Sequence, residues 1–380
     1  MNQKTLVSSI VTIGLLVALV ACRPKEPAEL RVGVIAPITG GIPKVGQSTV
    51  NAAQLATQEV NDEGGLEVGG QRMKVVLFIE DNEDRAQAAV SAAQKLINRS
   101  NVAVIIGPQA SRNAVPTSVI CEEAGIPMIS PWSTNPDTTA GKQYVFRIPF
   151  IDPFQGQVMA RFAMEELGAR KAAVLYDVAS AYNKGLAEVF KQVFEEAGGE
   201  IVAFETYTTG EMDFTVQLTA IKESGADVLF LPNYYNEVPQ QVRQARELGV
   251  EATIIGSDSW VGMTPEELAD LEGLFYSTHY APDIASEVAQ AFIEKYYEAY
   301  GETPDDVAAL TYDAFGLLFQ VIRSQGAADP ESIRSGLSSV ERYEGVTGVM
   351  EYKGTGDPVK SAVILQIRGG ALTFYKLASP

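Results

Sequence analysis

Short apolar runs alternate with amphipathic stretches almost without a break along this chain, the pattern of strand-helix-strand units around a parallel sheet. A first series of strands is predicted at LRVGVIAP (30–37), KVVLFIED (74–81), VAVIIGP (102–108) and PMISP (127–131). Between the first two, Val50, Ala53, Leu55, Ala56 and Val60 share one face of a helix predicted over 49–60, which NDEGG (61–65) stops. A second series begins after Pro149 with KAAVLYD, EIVAFETY, ADVLFLP and ATIIGSD, separated by helices over 181–197 and 237–248. The same architecture occurs twice, in patterning and without a residue-level repeat. After LFYSTHYAP come helices over 287–300 and 305–324, then the short strands GVMEYK, SAVILQIR and LTFYKL. Few Pro/Gly-rich linkers separate the halves, so the chain is expected to cross between lobes near 150, 280 and 345, and multiple crossings make a hinge. The predicted fold class is α/β: two doubly wound lobes with mainly parallel sheets, the first over 30–149 plus 281–345 and the second over 150–280 plus 346–380.

The first residues follow another pattern. Lys4 precedes an apolar stretch over 6–21 that ends in Leu19-Val20-Ala21-Cys22 and passes into the polar RPKEPAE, which reads as an export signal and not as a helix of the mature protein. Ser8, Ser9, Thr12 and Gly14 interrupt it, leaving it marginal for a bilayer span of roughly 20 apolar residues. The tetrad resembles the bacterial lipoprotein signal. That resemblance implies a signal peptide over 1–21, lipidation at Cys22, a tether over 22–29, and an exported protein anchored to the outer side of the cytoplasmic membrane or within the periplasm. A plain cleaved signal and an uncleaved anchor are the alternatives.

A length of 380 residues exceeds one average domain, which agrees with two lobes. A formal net charge of −19 repels nucleic acid phosphates, and no run of Lys or Arg offsets it, so a nucleic-acid partner is not expected. Cys121, in a helix predicted over 113–124, reads as a small buried hydrophobe; with Cys22 lipidated, no internal disulfide is possible. His279 is the only histidine, which leaves no cluster for zinc and argues against a serine triad. No GxSxG elbow is present. The segment 41–48 approaches a phosphate-binding loop but carries Gln47 where the motif needs a lysine. Residues 80–84 are acidic without the ligand spacing of a calcium loop, and read as a solvated turn. No cofactor and no metal are expected.

The richest chemistry lies in 105–139, where two strand ends each lead into a loop dense in hydroxyls. Ligands of open parallel sheets sit at the carboxyl ends of strands. Ser111 falls where a helix starts, so its hydroxyl and the neighbouring N–H groups suit a carboxylate, and Ser133 and Thr134 follow the next strand in the same way. All three are equally suited to capping helices and turns. In the second lobe, LFLPNYYNE and TIIGSDSW end two strands with Tyr234 and Asp258. A carboxylate facing a hydroxyl-lined anion site suits a zwitterion, although an Asp at this place also caps turns.

Taken in order, RVGVIAPITG, NDEGG, FIEDNED, IIGPQAS, ISPWSTNP, TTGEMDFTVQL, YYNE and GSDSW resemble the type I periplasmic-binding proteins of the leucine/isoleucine/valine-binding family, the solute receptors of ABC importers. The resemblance covers essentially the whole mature chain. It implies two lobes joined by three crossovers that close on an amino acid, with a membrane permease as partner. Carried over by position, Ser111, the Trp132 backbone and Thr134 fall on the first-lobe site, with Ser133 adjacent; Tyr182 and Tyr234 fall on aromatic contacts from the second lobe, and Asp258 on the acid that meets the ammonium. Trp132 stands where branched-chain receptors typically carry a small residue, and Val45 where an aromatic is common, which implies a narrower pocket or one that stacks a planar group. A transport receptor and not an enzyme is the expectation. A sensory module for amino acids or small amides and an extracellular enzyme are the other classes.

Overall fold

The computed structural model describes residues 28–284 and 286–380, so the export signal, Cys22 and most of the tether lie outside the described residues. Two sheets carry the architecture. The first has six strands in the order Leu66–Val68, Gln71–Asp81, Glu29–Ala36, Val104–Ile106, Met128–Ser130 and Val145–Arg147. All its neighbours pair in parallel except the short Leu66–Val68, which forms a hairpin with Gln71–Asp81. The second has seven, in the order Ala371–Ala378, Ala362–Arg368, Phe275–Thr278, Thr253–Gly256, Val228–Leu231, Lys171–Asp177 and Glu200–Tyr207. Its five central and distal strands are parallel, and the two C-terminal strands close one side antiparallel.

Both faces of each sheet are covered, which is why the strands read as continuous apolar runs. In the first, Val32 and Val34 pack toward the helices Pro43–Asp62 and Asp306–Gln325, while Ile35 and Ile105 meet Ala92, Leu96 and Cys121 on the other side. In the second, Val174 and Phe230 pack against Leu186 and Phe190, with the Phe190 and Phe230 rings stacked at 4.4 Å. Leu175, Leu229 and Ile254 face the helices Thr215–Ser224 and Val238–Leu248.

The predicted helices are found at Ser111–Ala124, Ala181–Glu196, Val238–Leu248, Glu287–Tyr300 and Asp306–Gln325, each within two residues of expectation. The first differs: it begins at Pro43 and not at 49, because a proline at the first helical position already has helical φ and lacks only an N–H that would have no partner. The segment that resembled a phosphate loop is therefore largely helix. Gly46 lets this helix lie on the chain leaving the first strand, since a Cβ there would sit 2.2 Å from the Pro37 carbonyl oxygen.

The chain passes between the sheets three times. The first two passages fall near 150 and 280, and the third comes later than 345. Strands Arg342–Gly345, Gly348–Tyr352 and Pro358–Val359 form a separate small sheet. It is tied to the first lobe: the Arg147 amide donates to the Gly356 carbonyl at 2.9 Å, the Tyr352 hydroxyl donates to the Arg147 carbonyl at 2.8 Å, and Asp313 accepts from the amides of Val346 and Thr347. The chain enters the second sheet only at Ala362, so the third passage lies after Val359 and not near 345. Alternating apolar residues in GVMEYK mark a strand but not which sheet receives it.

Candidate functional site

In the first sheet the chain order reverses between Glu29–Ala36 and Val104–Ile106; in the second it reverses between Lys171–Asp177 and Val228–Leu231. Such switch points leave a crevice at the carboxyl ends of the strands, and the two crevices face each other. Between them lies a cavity lined by Gln109, Ala110, Ser111 and Trp132 from the first lobe and by Tyr182, Tyr234, Asp258 and Ser259 from the second. Its free volume is about 10 Å³, room for no more than about one water molecule.

Five of the seven residues expected at a ligand site thus share one cavity; Trp132, expected through its backbone, contributes its ring to the wall. Ser111 is the first residue of its helix and Ala110 before it offers no side-chain cap; the Asn113 amide already donates to the Ala110 carbonyl at 2.9 Å, which leaves the Ser111 and Arg112 amides as the unused donors of the first turn. The Ser111 hydroxyl pairs with that of Ser133 at 2.8 Å and accepts from the Asn135 amide at 3.4 Å. Ser133 and Thr134 are set back from the cavity. The Ser133 hydroxyl is engaged by Ser111 and by Thr138 at 2.7 Å, and the Thr134 hydroxyl is buried beside Asp152, outside strict hydrogen-bond geometry with any described residue. Their loop is held from beneath by Arg147, a fully buried guanidinium that donates to the carbonyls of Ser133 at 2.8 Å and Asn135 at 2.9 Å and pairs with Asp357 at 2.6 Å.

Three aromatic rings form the wall. Trp132 and Tyr234 meet across the lobes with centroids 6.0 Å apart, and Tyr182 packs on Tyr234 at 5.5 Å. The Trp132 indole N–H is buried without a partner. Arg112 of the first lobe lies 4.4 Å over the Tyr234 ring and is itself clamped by Asp84 through two nitrogens. The acidic segment 80–84 is therefore not wholly a solvated turn: Asp84 is a buried brace for the aromatic wall. Lys44 also reaches across, donating from Nζ to the Gly262 carbonyl at 2.7 Å and from its amide to the Tyr235 hydroxyl at 3.3 Å.

Asp258 is the acceptor end. It starts a short turn of 3₁₀ helix, Asp258–Trp260, after the strand Thr253–Gly256. Its Oδ1 accepts from Gln155 Nε2 at 2.8 Å and from the Tyr182 hydroxyl at 2.5 Å, and its Oδ2 accepts from His279 Nε2 at 3.1 Å. Burial and the facing Asp258 charge push the Tyr182 phenol well above its ordinary pKa, so it stays a donor. Burial pulls the His279 imidazole down to about 4 against the opposing influence of Asp258, which keeps it neutral at pH 7. Among the described residues His279 Nδ1 has no hydrogen-bond partner, so its pair with Asp258 is not extended to a serine as a triad requires.

Asp152, Gln155 and His279 were not among the expected residues. Asp152 opens the helix Asp152–Glu165 that follows the first passage, with neither carboxyl oxygen in hydrogen-bond geometry. Burial pushes it up to about 7; the Thr134 hydroxyl and Arg147 oppose the shift and Asp258 adds to it. Only its place at the start of the second series marked it in the sequence. Gln155 and His279 carried no local signal, since their partner lies more than a hundred residues from one and in a different strand end from the other.

A helix start, an aromatic wall and a braced carboxylate face one another between the two lobes, the arrangement of a protein that binds a small polar solute. The chain belongs to the periplasmic binding protein family, whose profile matches residues 29–371, and within it to the leucine/isoleucine/valine-binding type. It is 31% identical over 94% of its length to the Leu/Ile/Val-binding protein BraC3 of Rhizobium johnstonii, covering 95% of that protein. The leucine-binding protein LivK of Thermotoga maritima superposes with a TM-score of 0.86 at 34% identity, over 92% of this chain and 99% of that one. The branched-chain amino acid transporter substrate-binding protein LivJ of Streptococcus pneumoniae, in complex with isoleucine, gives 0.85 at 30% identity over 93% of this chain and all of its own. These proteins bind substrates and do not transform them, and the family's place is outside the cytoplasm.

Proposed function

We propose that this protein is an exported lipoprotein, anchored through Cys22, that captures an amino acid of branched-chain type or a close analogue between its lobes and delivers it to the permease of an ABC importer. The observation that carries this reading is the single cavity with Ser111 on one lobe and Asp258 on the other. The helix start at Ser111 would hold the carboxylate and Asp258 the ammonium, a charge-assisted bond worth roughly 1.5–3 kcal/mol. Trp132, Tyr182 and Tyr234 would enclose the side chain, with Ser133 and Thr134 supporting the carboxylate end from behind. The LivJ complex with isoleucine supports an amino acid as the ligand class. We place the first lobe at 30–149 plus 281–359 and the second at 150–280 plus 360–380, following the strand pairing.

Closure is selected by a ligand that touches both lobes only when they are shut. The test is a thermal-shift screen of the detergent-solubilised full-length protein against the common amino acids and small amides. At least one α-amino acid is expected to raise the melting temperature by mass action, and Asp258→Asn to weaken its calorimetric affinity by roughly tenfold or more. Stabilisation by no amino acid would overturn the reading; unchanged affinity in Asp258→Asn would remove that residue from the site.

A further inference from the structure

Asp258 belongs to the second lobe by sequence, yet two of its three donors come from the hinge. Gln155 stands one turn into the helix that leaves the first passage, and its Nε2 also reaches the Ser277 hydroxyl at 2.9 Å on the strand that enters the second. His279 sits in the second passage itself, and its ring stacks on Phe150 of the first, with centroids 3.8 Å apart and planes 30° apart. A 3.8 Å stack fixes the mutual position of the two passages, and the ring so fixed is the one whose Nε2 donates to Asp258 Oδ2. The titratable groups facing it are Asp258 and, from the third passage, the buried Lys360, whose charge disfavours protonation of the imidazole. A neutral ring with one hydrogen must place it on Nε2 to donate to Asp258, which matches the absence of any acceptor at Nδ1.

We propose that His279 is a positioning residue: held by Phe150 across the first two hinge passages, it aims the Asp258 carboxylate at the ammonium of an amino acid, so the acid is in place only when the hinge is in its stacked geometry. This rests on the reading that Asp258 meets an ammonium group. A carboxylate free to rotate pays orientational entropy on binding that a braced one has already lost. His279 itself does not line the cavity.

The experiment compares L-leucine, L-alanine and L-phenylalanine with their counterparts lacking the amino group, 4-methylpentanoate, propionate and 3-phenylpropionate, by calorimetry on the detergent-solubilised full-length protein. Three variants separate the parts of the device. His279→Phe keeps a stacking ring without the donor, His279→Gln keeps an amide donor at a similar reach, and Phe150→Leu removes the stack and leaves both donors. His279→Phe is expected to weaken the preferred amino acid roughly tenfold to a hundredfold with little change for its deaminated counterpart, and His279→Gln to restore most of the loss. Phe150→Leu, which touches neither Asp258 nor the cavity, is expected to lower the amino-acid affinity selectively as well. Equal losses for both compounds of a pair would show a merely structural role and overturn the proposal, as would wild-type affinity in His279→Phe. A wild-type protein that does not discriminate within any pair would instead overturn the ammonium reading of Asp258, and this one with it. Should His279→Phe fail to fold, Phe150→Leu and His279→Gln still decide: wild-type discrimination in both overturns the proposal.

Discussion

Asp258 and Asp152 are carboxyls of the same lobe, both buried, with opposite surroundings: the first accepts three hydrogen bonds and the second none. Burial therefore raises Asp152 from its ordinary 3.8 to about 7. A carboxyl raised on folding holds its proton more tightly in the native state, so its favourable contribution is complete below pH 4 and is lost as pH climbs through 7. Asp152→Asn removes that loss. The variant's gain in melting temperature over wild type, without added amino acid, should be larger at pH 8 than at pH 5, with an upper bound of about 4 kcal/mol for a shift of this size; a difference that does not vary with pH would contradict it. Trp132 sets the other limit at this scale. Its indole takes up much of the space between the lobes, and Trp132→Ala should admit bulkier amino acids in the same thermal-shift screen, whereas an unaltered profile would show that the ring does not bound the ligand.

Among the elements, strands and helices were legible because burial on both faces leaves long apolar runs and helices announce their ends with Gly, Pro and Asp. Ser111, Tyr234 and Asp258 were legible for a related reason, since each follows a strand end and strand ends face the crevice, whereas Trp132 and Tyr182 came only from the family resemblance. What stayed illegible was everything set by contact between distant elements. The early start of the helix Pro43–Asp62 depends on its fit to the Pro37 carbonyl, the destination of Gly348–Tyr352 on Arg147 and Asp313, and the bracing of Asp258 on the hinge. The Pro37 contact is open to direct test. Gly46→Ala forces a methyl to within 2.2 Å of a backbone oxygen, which the helix can relieve only by moving off the sheet. A loss of roughly 1–3 kcal/mol is expected, read as a lowered melting temperature or denaturant midpoint.

For the molecule as a whole, two features lie at opposite ends of one task. On the proposed lipoprotein reading Cys22 sets where the protein works, and substitution to Ala should move it from the membrane to the soluble fraction or leave an unprocessed precursor; normal processing and membrane retention in Cys22→Ala would exclude lipidation at this position. The three passages fix how it moves. Arg147 gathers the loop carrying Ser133 and Asn135 and, through Asp357 and the Gly356 carbonyl, the strand approaching the third passage. The floor of the crevice and that strand share one fastener, so residues up to Val359 must travel with the first lobe whenever the halves part. Only Lys360 and Ser361 lie between that strand and Ala362 in the second sheet, and the buried Lys360 is itself tied to Thr347 through its ammonium at 2.6 Å. A link that short would swing like a pin and could not stretch like a strap: if the lobes open as proposed, the third passage would set the axis and leave the amplitude to the other two.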